Sequence, residues 1–331
     1  MKILKTLCAL LLTLSLLSAC TNKAQDAHGS AEEDKSVFLF VGFDDAAENT
    51  DVLFLLSYDG IEKQASVVQI PRDTYVAFGK SQNKINQIYA SARSEGKSSV
   101  EAMSILKSKI SDIFGIWIDG YIGVTTKAFR DIVDALGGVE IELPSDFVLT
   151  DEDGEDETRL SAGTHLLSGE VAERFVRYRK GYVMGDIGRI DAQKLFLNAL
   201  INRLGKGAGV EEAVRIVGAM WREVSTDLSL CDILEFAARN SSRIKESKIR
   251  YATLPGEAVE SSTGLWYYVA NKKSSESLVH NYLFAKGEFD KDCLLFDPSS
   301  VAFENVYRDG GINYREYTGE NLSDLYILGQ K

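Results

Sequence analysis

Three short apolar runs near the start of the folded region predict buried β-strands. They cover residues 37–41, 52–56 and 65–70, and their length suits a strand better than a helix. Asp59-Gly60 separates the second and third runs and is typical of a hairpin turn. Pro71 ends the third run, because proline removes a backbone donor that a central strand needs. These runs therefore predict the centre of a sheet.

Farther along the chain, apolar residues recur every three or four positions, and this period predicts helices. The predicted helices begin at Ser98, Thr126, Ser168 and Ser229, and close to Ile190. Serine and threonine suit such starts because their side-chain oxygen accepts a hydrogen bond from an unpaired backbone N–H group. Further strands are predicted at residues 139–143 and 249–254, whereas residues 286–331 show only weak periodicity. Strands that alternate with helices favour an α/β fold, an α-β-α sandwich around a central mixed β-sheet.

The N-terminus has the pattern of an export signal. A short positive region precedes an apolar run at residues 7–17, which is shorter than the ~20 residues that a bilayer-spanning helix needs. Residues 17–20, Leu-Ser-Ala-Cys, resemble the bacterial lipobox, and this resemblance implies cleavage before Cys20 and a lipid anchor on its thiol. We expect a signal peptide at 1–19, a lipidated cysteine with a flexible tether at 20–36, and a place on the extracytoplasmic face of the membrane. An ordinary secretory leader is the alternative.

Charge and cysteine content narrow the classes of function. The formal net charge is −12 and the sequence pI is about 4.9, so a general nucleic-acid-binding protein is disfavoured. Any phosphate site must then be a local cluster of arginines. Beyond the leader only Cys231 and Cys293 remain, and the absence of a CxxC pair disfavours a zinc site. A disulfide between these two cysteines stays open.

Four arginines are candidates for binding an anion. Arg72 follows the third predicted strand, where ligands of open α/β sheets bind. If residues 176–179 are extended, Arg177 and Arg179 lie on one face. Arg189 begins a predicted helix, whose first N–H groups also favour an anion. Converging guanidinium groups suit a pyrophosphate. The alternatives are a surface Arg72 paired with Asp73 and a solvated charge run.

Two aspartates are candidates for binding a metal. Asp44 follows the first predicted strand and Asp51 opens the second, so adjacent strand ends would bring both carboxylates together. Two carboxylates beside phosphate oxygens suit Mg²⁺ (or Mn²⁺), which takes few protein ligands and keeps several waters. Turn-capping aspartates are the alternative.

Several segments resemble, in one order, the domain of the LytR-CpsA-Psr family. They are residues 51–56, 68–74, 84–90, 132–139, 167–170, 176–179, 186–193, 226–230 and 254–256. The resemblance implies a catalytic domain at residues 37–285, followed by an extension of unknown structure at 286–331. It also implies a phosphotransferase of cell wall assembly. Such an enzyme moves a glycopolymer such as teichoic acid or capsule from a polyprenyl-pyrophosphate carrier to a peptidoglycan sugar hydroxyl.

The resemblance also assigns roles to single residues. It implies a pyrophosphate site, catalytic residues, a metal site for Asp44 and Asp51, and an apolar pocket for the polyprenyl chain. The pyrophosphate residues are Arg72, Arg177, Arg179 and Arg189, the catalytic residues are Arg72, Arg189 and Asp186, and the pocket residues are Phe129, Val133, Phe196 and Leu200. Asp186 and Asp191 are candidates for the general base, with Asp44 not excluded. Plain core is the alternative for each pocket residue.

Two departures from the family pattern leave other functions open. Asn49-Thr50 and Ala192 stand where relatives carry arginines. These departures motivate a second hypothesis, a non-catalytic protein that binds polyprenyl-phosphate lipids. A lipid pyrophosphatase is a third. A transcriptional attenuator is disfavoured by the leader and the acidic pI.

Overall fold

The computed structural model describes the folded region of the chain. The described residues are 35–44, 46–78, 81–143, 145–150, 157–179, 182, 186–205, 224–229, 231–233, 235–236, 239–240, 247–261, 264–284 and 317–318. The predicted leader, Cys20, Cys293 and most of the predicted C-terminal extension lie outside them. Among the described residues, no helix is both long and apolar enough to cross a bilayer.

The chain folds into fifteen described strands and six helices. The strands are β1 (Lys35–Phe43), β2 (Thr50–Asp59), β3 (Gln64–Gln69), β4 (Tyr75–Phe78), β5 (Ser81–Lys84), β6 (Gly120–Thr125), β7 (Val139–Leu143), β8 (Phe147–Thr150), β9 (Glu157–Leu160), β10 (Gly163–Leu167), β11 (Val224–Thr226), β12 (Lys248–Thr253), β13 (Gly256–Glu260), β14 (Trp266–Ala270) and β15 (Tyr317–Thr318). The helices are α1 (Gln87–Ser94), α2 (Ser99–Phe114), α3 (Thr126–Ala135), α4 (Gly169–Arg177), α5 (Asp186–Gly205) and α6 (Lys272–Tyr282).

Seven strands form one central mixed sheet in the order β11-β6-β1-β2-β3-β12-β15. β1 pairs in parallel with β6, and β3 pairs in parallel with β12, whereas β2 runs antiparallel to both β1 and β3. β1, β3, β6 and β12 therefore point in the same direction. We call the end where these four strands stop the carboxyl edge, and the opposite end, where Lys35 begins β1, the entry edge.

Helices cover both faces of the sheet, so the predicted α-β-α sandwich is confirmed. On the first face, side chains such as Leu39, Leu53 and Leu55 are completely buried against helices α1, α2 and α6. The second face packs against Val133 of α3, Phe175 of α4 and Phe196 of α5. Successive side chains of a strand point to opposite faces of the sheet. Because helices cover both faces, the side chains on both are apolar, and these strands appear in the sequence as continuous apolar runs.

Most predicted helix starts are confirmed, and one is wrong by a single residue. Ser98 caps α2 through a capping box with Glu101, and Ser168 caps α4. Thr125, not Thr126, caps α3, because its side chain accepts a hydrogen bond from Ala128. The Thr126 hydroxyl instead donates to the carbonyl of Phe43 at 3.0 Å, which fastens the start of α3 to the end of β1.

The central sheet includes residues on both sides of 37–285. β1 begins at Lys35, so the last two residues of the predicted tether belong to the sheet. Tyr317 and Thr318, in the predicted C-terminal extension, pair with Tyr251 and Arg250 of β12, so β15 is an outer strand of the same sheet. Cys231 is disulfide-bonded. Cys293, the partner that the sequence left open, lies outside the described residues.

Candidate active site

Arg72 lies in a tight turn at the carboxyl edge, directly after β3. The N–H group of Ile70 still pairs with Leu53 of β2, at 2.9 Å, and Pro71 then ends the strand. Thr74 closes the turn, because both its N–H group and its hydroxyl donate to the carbonyl of Pro71, at 2.9 and 2.6 Å. The backbone therefore holds Arg72 at the sheet edge with its side chain 22% exposed.

The guanidinium of Arg72 pairs with Asp51 of β2. Its Nη1 lies 2.5 Å from Asp51 Oδ1, whereas its Nε is 3.8 Å from Asp73, so the alternative pairing with Asp73 is the weaker contact. Between Phe43 and Gly42 the pairing of β1 with β2 shifts by one residue, which leaves Asp51 without a partner on β1. Such a bulge re-aims a side chain. The Nε of Arg72 is buried and forms no hydrogen bond with any described residue, so it remains a donor for a ligand.

Asp44 caps the turn after β1. Its Oδ1 accepts hydrogen bonds from the N–H groups of Glu48 and Asn49, at 2.9 and 3.3 Å, and its Oδ2 accepts one from Asn49 Nδ2 at 2.7 Å. Partial burial raises the pKa of Asp44, but these hydrogen bonds and the positive charge of Arg177 outweigh it and lower the pKa below its ordinary value. The carboxylate is therefore ionised, and Arg177 lies within its electrostatic reach.

Arg177 is helical, so the prediction of an extended stretch at residues 176–179 is wrong for its first part. α4 continues to Arg177, and only Tyr178 and Arg179 leave it. The helix places Arg177 one turn after Glu173, and their charged groups lie 2.8 Å apart. Glu173 also binds Arg130 of α3, at 2.5 Å. The charge of Arg177 acts on Asp44 at the end of β1, and Arg179 is exposed directly after the helix.

Helix α5 brings Arg189 to the same edge. The helix begins at Asp186, four residues before the predicted start, and it buries Arg189 so that only 5% remains exposed. One turn later, Gln193 donates to the carbonyl of Val176 at 3.0 Å and accepts a short hydrogen bond from Gln69, the last residue of β3. The chain Gln69–Gln193–Val176 thus ties together the three elements that carry Arg72, Arg189 and Arg177.

Helix α5 carries two candidates for the general base, Asp186 and Asp191. Asp191 is buried and pairs with Lys194, also buried, at 2.9 Å. Its carboxylate is therefore engaged in an ion pair inside the protein. The side chain of Asp186 lies outside the described part of the structure. Asp44 is exposed enough to meet a substrate, but its lowered pKa makes it a weak base.

The donor set of Asp44 and Asp51 fits Mg²⁺. Both supply hard carboxylate oxygens, and they flank the paired residues Phe43 and Thr50 where β1 ends and β2 begins. Each carboxylate oxygen has two lone pairs, so Asp51 keeps acceptor capacity beside its bond to Arg72. No cluster of three metal-binding side chains occurs among the described residues. Mg²⁺ does not need one where substrate phosphates supply the remaining ligands.

The second face of the sheet is less completely buried than the first. Phe38, Phe40, Phe54 and Leu56 of β1 and β2 stay partly exposed on this side, although helices α3 to α5 cover it. Of the four residues predicted to line a polyprenyl pocket, Val133 and Phe196 are buried, whereas Phe129 and Leu200 are partly buried. The rings of Phe129 and Phe196 are in contact, with centroids 5.3 Å apart.

Sequence reasoning missed several polar residues that build this edge. Gln69, Asn49 and Lys84 carry no charge pattern that marks them as functional, and Lys84 binds Asp73 at 2.7 Å. Gln69 offered one signal, a polar residue at the end of an apolar strand, which is 5% exposed in the structure. A buried amide needs partners, and so it indicates a hydrogen-bonded network.

Several known proteins are similar to this chain in sequence or in fold. A curated relative from Bacillus anthracis, the polyisoprenyl-teichoic acid–peptidoglycan teichoic acid transferase TagU, is 27% identical over 248 residues, 73% of this chain and 76% of the relative. The crystal structure of gbs0355 from Streptococcus agalactiae is similar with a TM-score of 0.67 and 19% identity, covering 80% of this chain and 92% of gbs0355.

The crystal structure of Bacillus subtilis TagV is similar with a TM-score of 0.62 and 24% identity, covering 76% of this chain and 98% of TagV. At these identities the structural likenesses show the fold alone. The sequence profile of the LytR_cpsA_psr family matches residues 16–282. Because this match covers most of its length, the chain belongs to the LytR-CpsA-Psr family.

Proposed function

We propose that this protein is a phosphotransferase that attaches a polyprenyl-pyrophosphate-linked glycopolymer to peptidoglycan. The observation that carries the proposal is that Gln193 of α5 bonds to Gln69 of β3 and to Val176 of α4, which joins the elements that carry Arg189, Arg72 and Arg177. TagU, the relative from Bacillus anthracis, is named for the same kind of transfer with teichoic acid. A local arginine cluster in a protein of net charge −12 indicates a specific phosphate ligand.

In the proposed reaction, a hydroxyl of a peptidoglycan sugar attacks the phosphorus that carries the polymer. A new P–O bond forms to the acceptor oxygen, and the bond from this phosphorus to the bridging oxygen breaks. The acceptor loses its proton to a base, and polyprenyl phosphate leaves. The positive charges of Arg72, Arg177 and Arg189 stabilise the charge on the transferring and leaving phosphates. Arg179 is a further proposed phosphate-binding residue. Asp186 is the proposed base, since Asp191 is held by Lys194.

The proposal includes Mg²⁺ (or Mn²⁺) held by Asp44 and Asp51. When bound, this cation would neutralise charge on the phosphate oxygens. Hydrogen bonds from Glu48 and Asn49 hold the Asp44 carboxylate ionised and in place. The guanidinium of Arg72 holds the Asp51 carboxylate in place, at 2.5 Å.

The polyprenyl chain is proposed to lie between the second face of the sheet and helices α3 and α5. The partly buried side chains on this face, among them Phe40, Phe54 and Phe129, support the proposal. Apolar groups that are incompletely covered gain free energy when a lipid removes them from water. On the first face, by contrast, strand side chains such as Leu39, Leu53 and Leu55 are completely buried.

The proposed place of the protein is the extracytoplasmic face of the bacterial cell membrane. The lipobox-like sequence at residues 17–20 supports a lipid anchor on Cys20 after removal of residues 1–19. Peptidoglycan and its lipid-linked donors are found on that side, so anchor and substrates would meet there.

The experiment compares arginine variants of the full chain in a transfer assay. Purified protein is incubated with a polyprenyl-pyrophosphate-linked glycan, peptidoglycan and Mg²⁺, and the formation of linked polymer is measured. We expect Arg72→Ala and Arg189→Ala each to lower the rate by a factor on the order of 10²–10³, because a clamp on the transferring group is lost. Arg159→Ala is the control, since this arginine is 75% exposed on β9.

Each alternative function has its own result in this assay. Donor binding without transfer by correctly folded wild-type protein would support a lipid-binding protein instead. Phosphate release that does not depend on added peptidoglycan would support a pyrophosphatase. Wild-type rates in both Arg72→Ala and Arg189→Ala would contradict the site assignment, with circular dichroism confirming that the variants fold.

A further inference from the structure

The hairpin β13–β14 stands directly beside the turn that carries Arg72. It follows β12 at the carboxyl edge, where the N–H group of Leu254 donates to Gln69 at 2.8 Å. Within the hairpin, the N–H group of Tyr268 donates to the carbonyl of Asp73 at 2.8 Å, and Tyr268 forms a parallel bridge with Thr74. The hairpin is therefore joined by its backbone to Asp73 and Thr74, the two residues that follow Arg72.

One face of the hairpin holds it against the protein. Val259, Tyr267 and Val269 form a small buried cluster with Tyr75 of β4. The Nζ of Lys84 lies 5.6 Å from the ring centre of Tyr267. Because of these contacts the hairpin is a fixed neighbour of the candidate active site.

The other face ends in an exposed pair, Trp266 and Glu260. These two residues are directly opposite each other in the hairpin, so their side chains stand on the same face. Trp266 is 54% exposed and the adjacent Leu265 is 51% exposed. Glu260 is also exposed, and no described residue forms an ion pair with it. A large aromatic ring with a neighbouring carboxylate thus faces solvent near the arginine turn.

This combination of groups suits a sugar ring. The C–H groups on one face of a pyranose carry partial positive charge and pack against the negative face of an indole. The equatorial hydroxyl groups need hydrogen-bond acceptors, and a carboxylate is a strong one. Trp266 would supply the first contact and Glu260 the second.

Charge and position favour the acceptor sugar, over a membrane surface or the donor polymer, as the group that binds to this hairpin. Glu260 and Glu257 give the hairpin a negative charge, which disfavours the anionic surface of a membrane and a phosphate-rich donor polymer. The hairpin also lies at the carboxyl edge, whereas the chain enters the domain at Lys35 on the entry edge. The N-acetylglucosamine units of the wall have no ionisable group and meet no such repulsion.

We propose that Trp266 and Glu260 form a subsite for the peptidoglycan glycan strand that accepts the polymer. This inference rests on the proposed transferase function. The subsite binds the sugar next to the reacting hydroxyl and presents that hydroxyl to the phosphate held by the arginines. It acts on acceptor binding and not on the bond-making step.

The test uses the full chain in detergent and a tetrasaccharide of alternating N-acetylglucosamine and N-acetylmuramic acid. Steady-state transfer gives KM for acceptor and donor separately, and saturation-transfer NMR detects tetrasaccharide binding without any transfer. We expect Trp266→Ala to raise the acceptor KM about tenfold and to weaken binding equally, with kcat and donor KM unchanged. Glu260→Gln should raise the acceptor KM by about threefold. Trp266→Phe, which keeps an aromatic face, should restore most of the affinity.

Two matched controls come from the same chain. Trp117 is 65% exposed but precedes β6 at the entry edge, so Trp117→Ala should change nothing. Glu257 is an exposed carboxylate of β13 whose register puts it on the opposite face from Glu260, so Glu257→Gln should also have no effect.

The subsite would be disproved by an unchanged acceptor KM in folded Trp266→Ala. Loss of binding to vesicles of anionic lipid in that variant, with acceptor KM unaltered, would likewise overturn it and indicate a membrane contact. If the wild type binds the tetrasaccharide through Trp266 but transfers nothing, the transferase proposal fails and the subsite stands.

Discussion

Asp44 shows how a single side chain is prepared by its surroundings. Its carboxylate accepts three hydrogen bonds from Glu48 and Asn49, and the charge of Arg177 acts on it as well. Partial burial opposes these contacts, yet the pKa of Asp44 is lowered. The turn-capping role and the proposed metal role are therefore compatible, because the same contacts keep the carboxylate charged and fixed.

The Asn49→Ala variant tests this account of Asp44. We expect the pKa of Asp44 to rise, because the variant loses the side-chain hydrogen bond of 2.7 Å to Oδ2. A carboxyl-carbon NMR titration measures the change. A lowered pKa stabilises the fold above the unfolded value of about 4 and loses that contribution as pH falls through the folded value. The stabilities of wild type and variant should therefore converge in acid.

Asn281→Ala is the matched control for this titration, since Asn281 is an exposed asparagine on α6 whose contacts do not include Asp44. An Asp44 pKa that is the same in Asn49→Ala and in the wild type would show that the hydrogen bond is not its cause. A rise in both variants would point to a general effect on the fold.

At the residue scale, the sequence predicts where single side chains lie along the strands but not how they pair. It predicts Arg72 after the third strand and Asp51 at the start of the second, and the structure brings their charged groups to 2.5 Å. Their pairing depends on the bulge in β2, which shifts the register by one residue and has no signal in the composition. The role of Gln69 was equally hidden, because its partner Gln193 is distant in sequence.

At the scale of elements, local patterns predict strands and helix starts well and helix ends less well. Serine caps at Ser98 and Ser168 are in place because their hydrogen bonds are local. The helix at Arg177 continues farther than predicted, since its ion pair with Glu173 is available only in a helix. β15 was not predicted, because a two-residue strand depends on its neighbour β12 and not on its own period.

Gln193 fastens α5 to β3 and to α4, so it is a positioning residue for the arginines that these elements carry. We expect Gln193→Leu to lower the transfer rate by about 10- to 100-fold, because small displacements of reacting groups are costly. Donor KM should change less than kcat. The free energy of unfolding should fall by about 1–3 kcal/mol, since buried partners lose a hydrogen bond. Steady-state kinetics and denaturant unfolding measure the two effects.

Asn198 supplies the control on the same helix. Its side chain accepts a hydrogen bond from Tyr251 of β12 at 3.1 Å, so it also joins α5 to the sheet. Asn198→Ala should cost a similar amount of stability and leave kcat nearly unchanged. Equal losses of kcat in both variants would mean that any loosening of α5 has this effect and that Gln193 is not special.

At the scale of the whole molecule, the candidate site and the point of chain entry lie at opposite ends of the sheet. β1 begins at Lys35 and ends at Phe43, and nine residues of strand span roughly 30 Å. The part of the predicted tether (residues 20–36) that precedes β1 would reach about 20 Å as a flexible chain. In the proposed reaction a membrane-bound donor would bring its pyrophosphate up to the carboxyl edge, and the incompletely buried second face of the sheet would offer its lipid an apolar route.

This geometry would separate the proposed anchor from the proposed chemistry, and Cys20→Ser tests the separation. We expect the variant to lose incorporation of radiolabelled palmitate in cells, because its side chain has no thiol to receive the lipid. Cys8→Ser, also within the leader, should be labelled like the wild type. In detergent, where donor and enzyme meet without a membrane, Cys20→Ser should transfer polymer at the wild-type rate, since the arginines at the carboxyl edge are untouched. Palmitate label on Cys20→Ser would contradict the anchor, and a slow rate in detergent would show that the N-terminus takes part in the reaction itself.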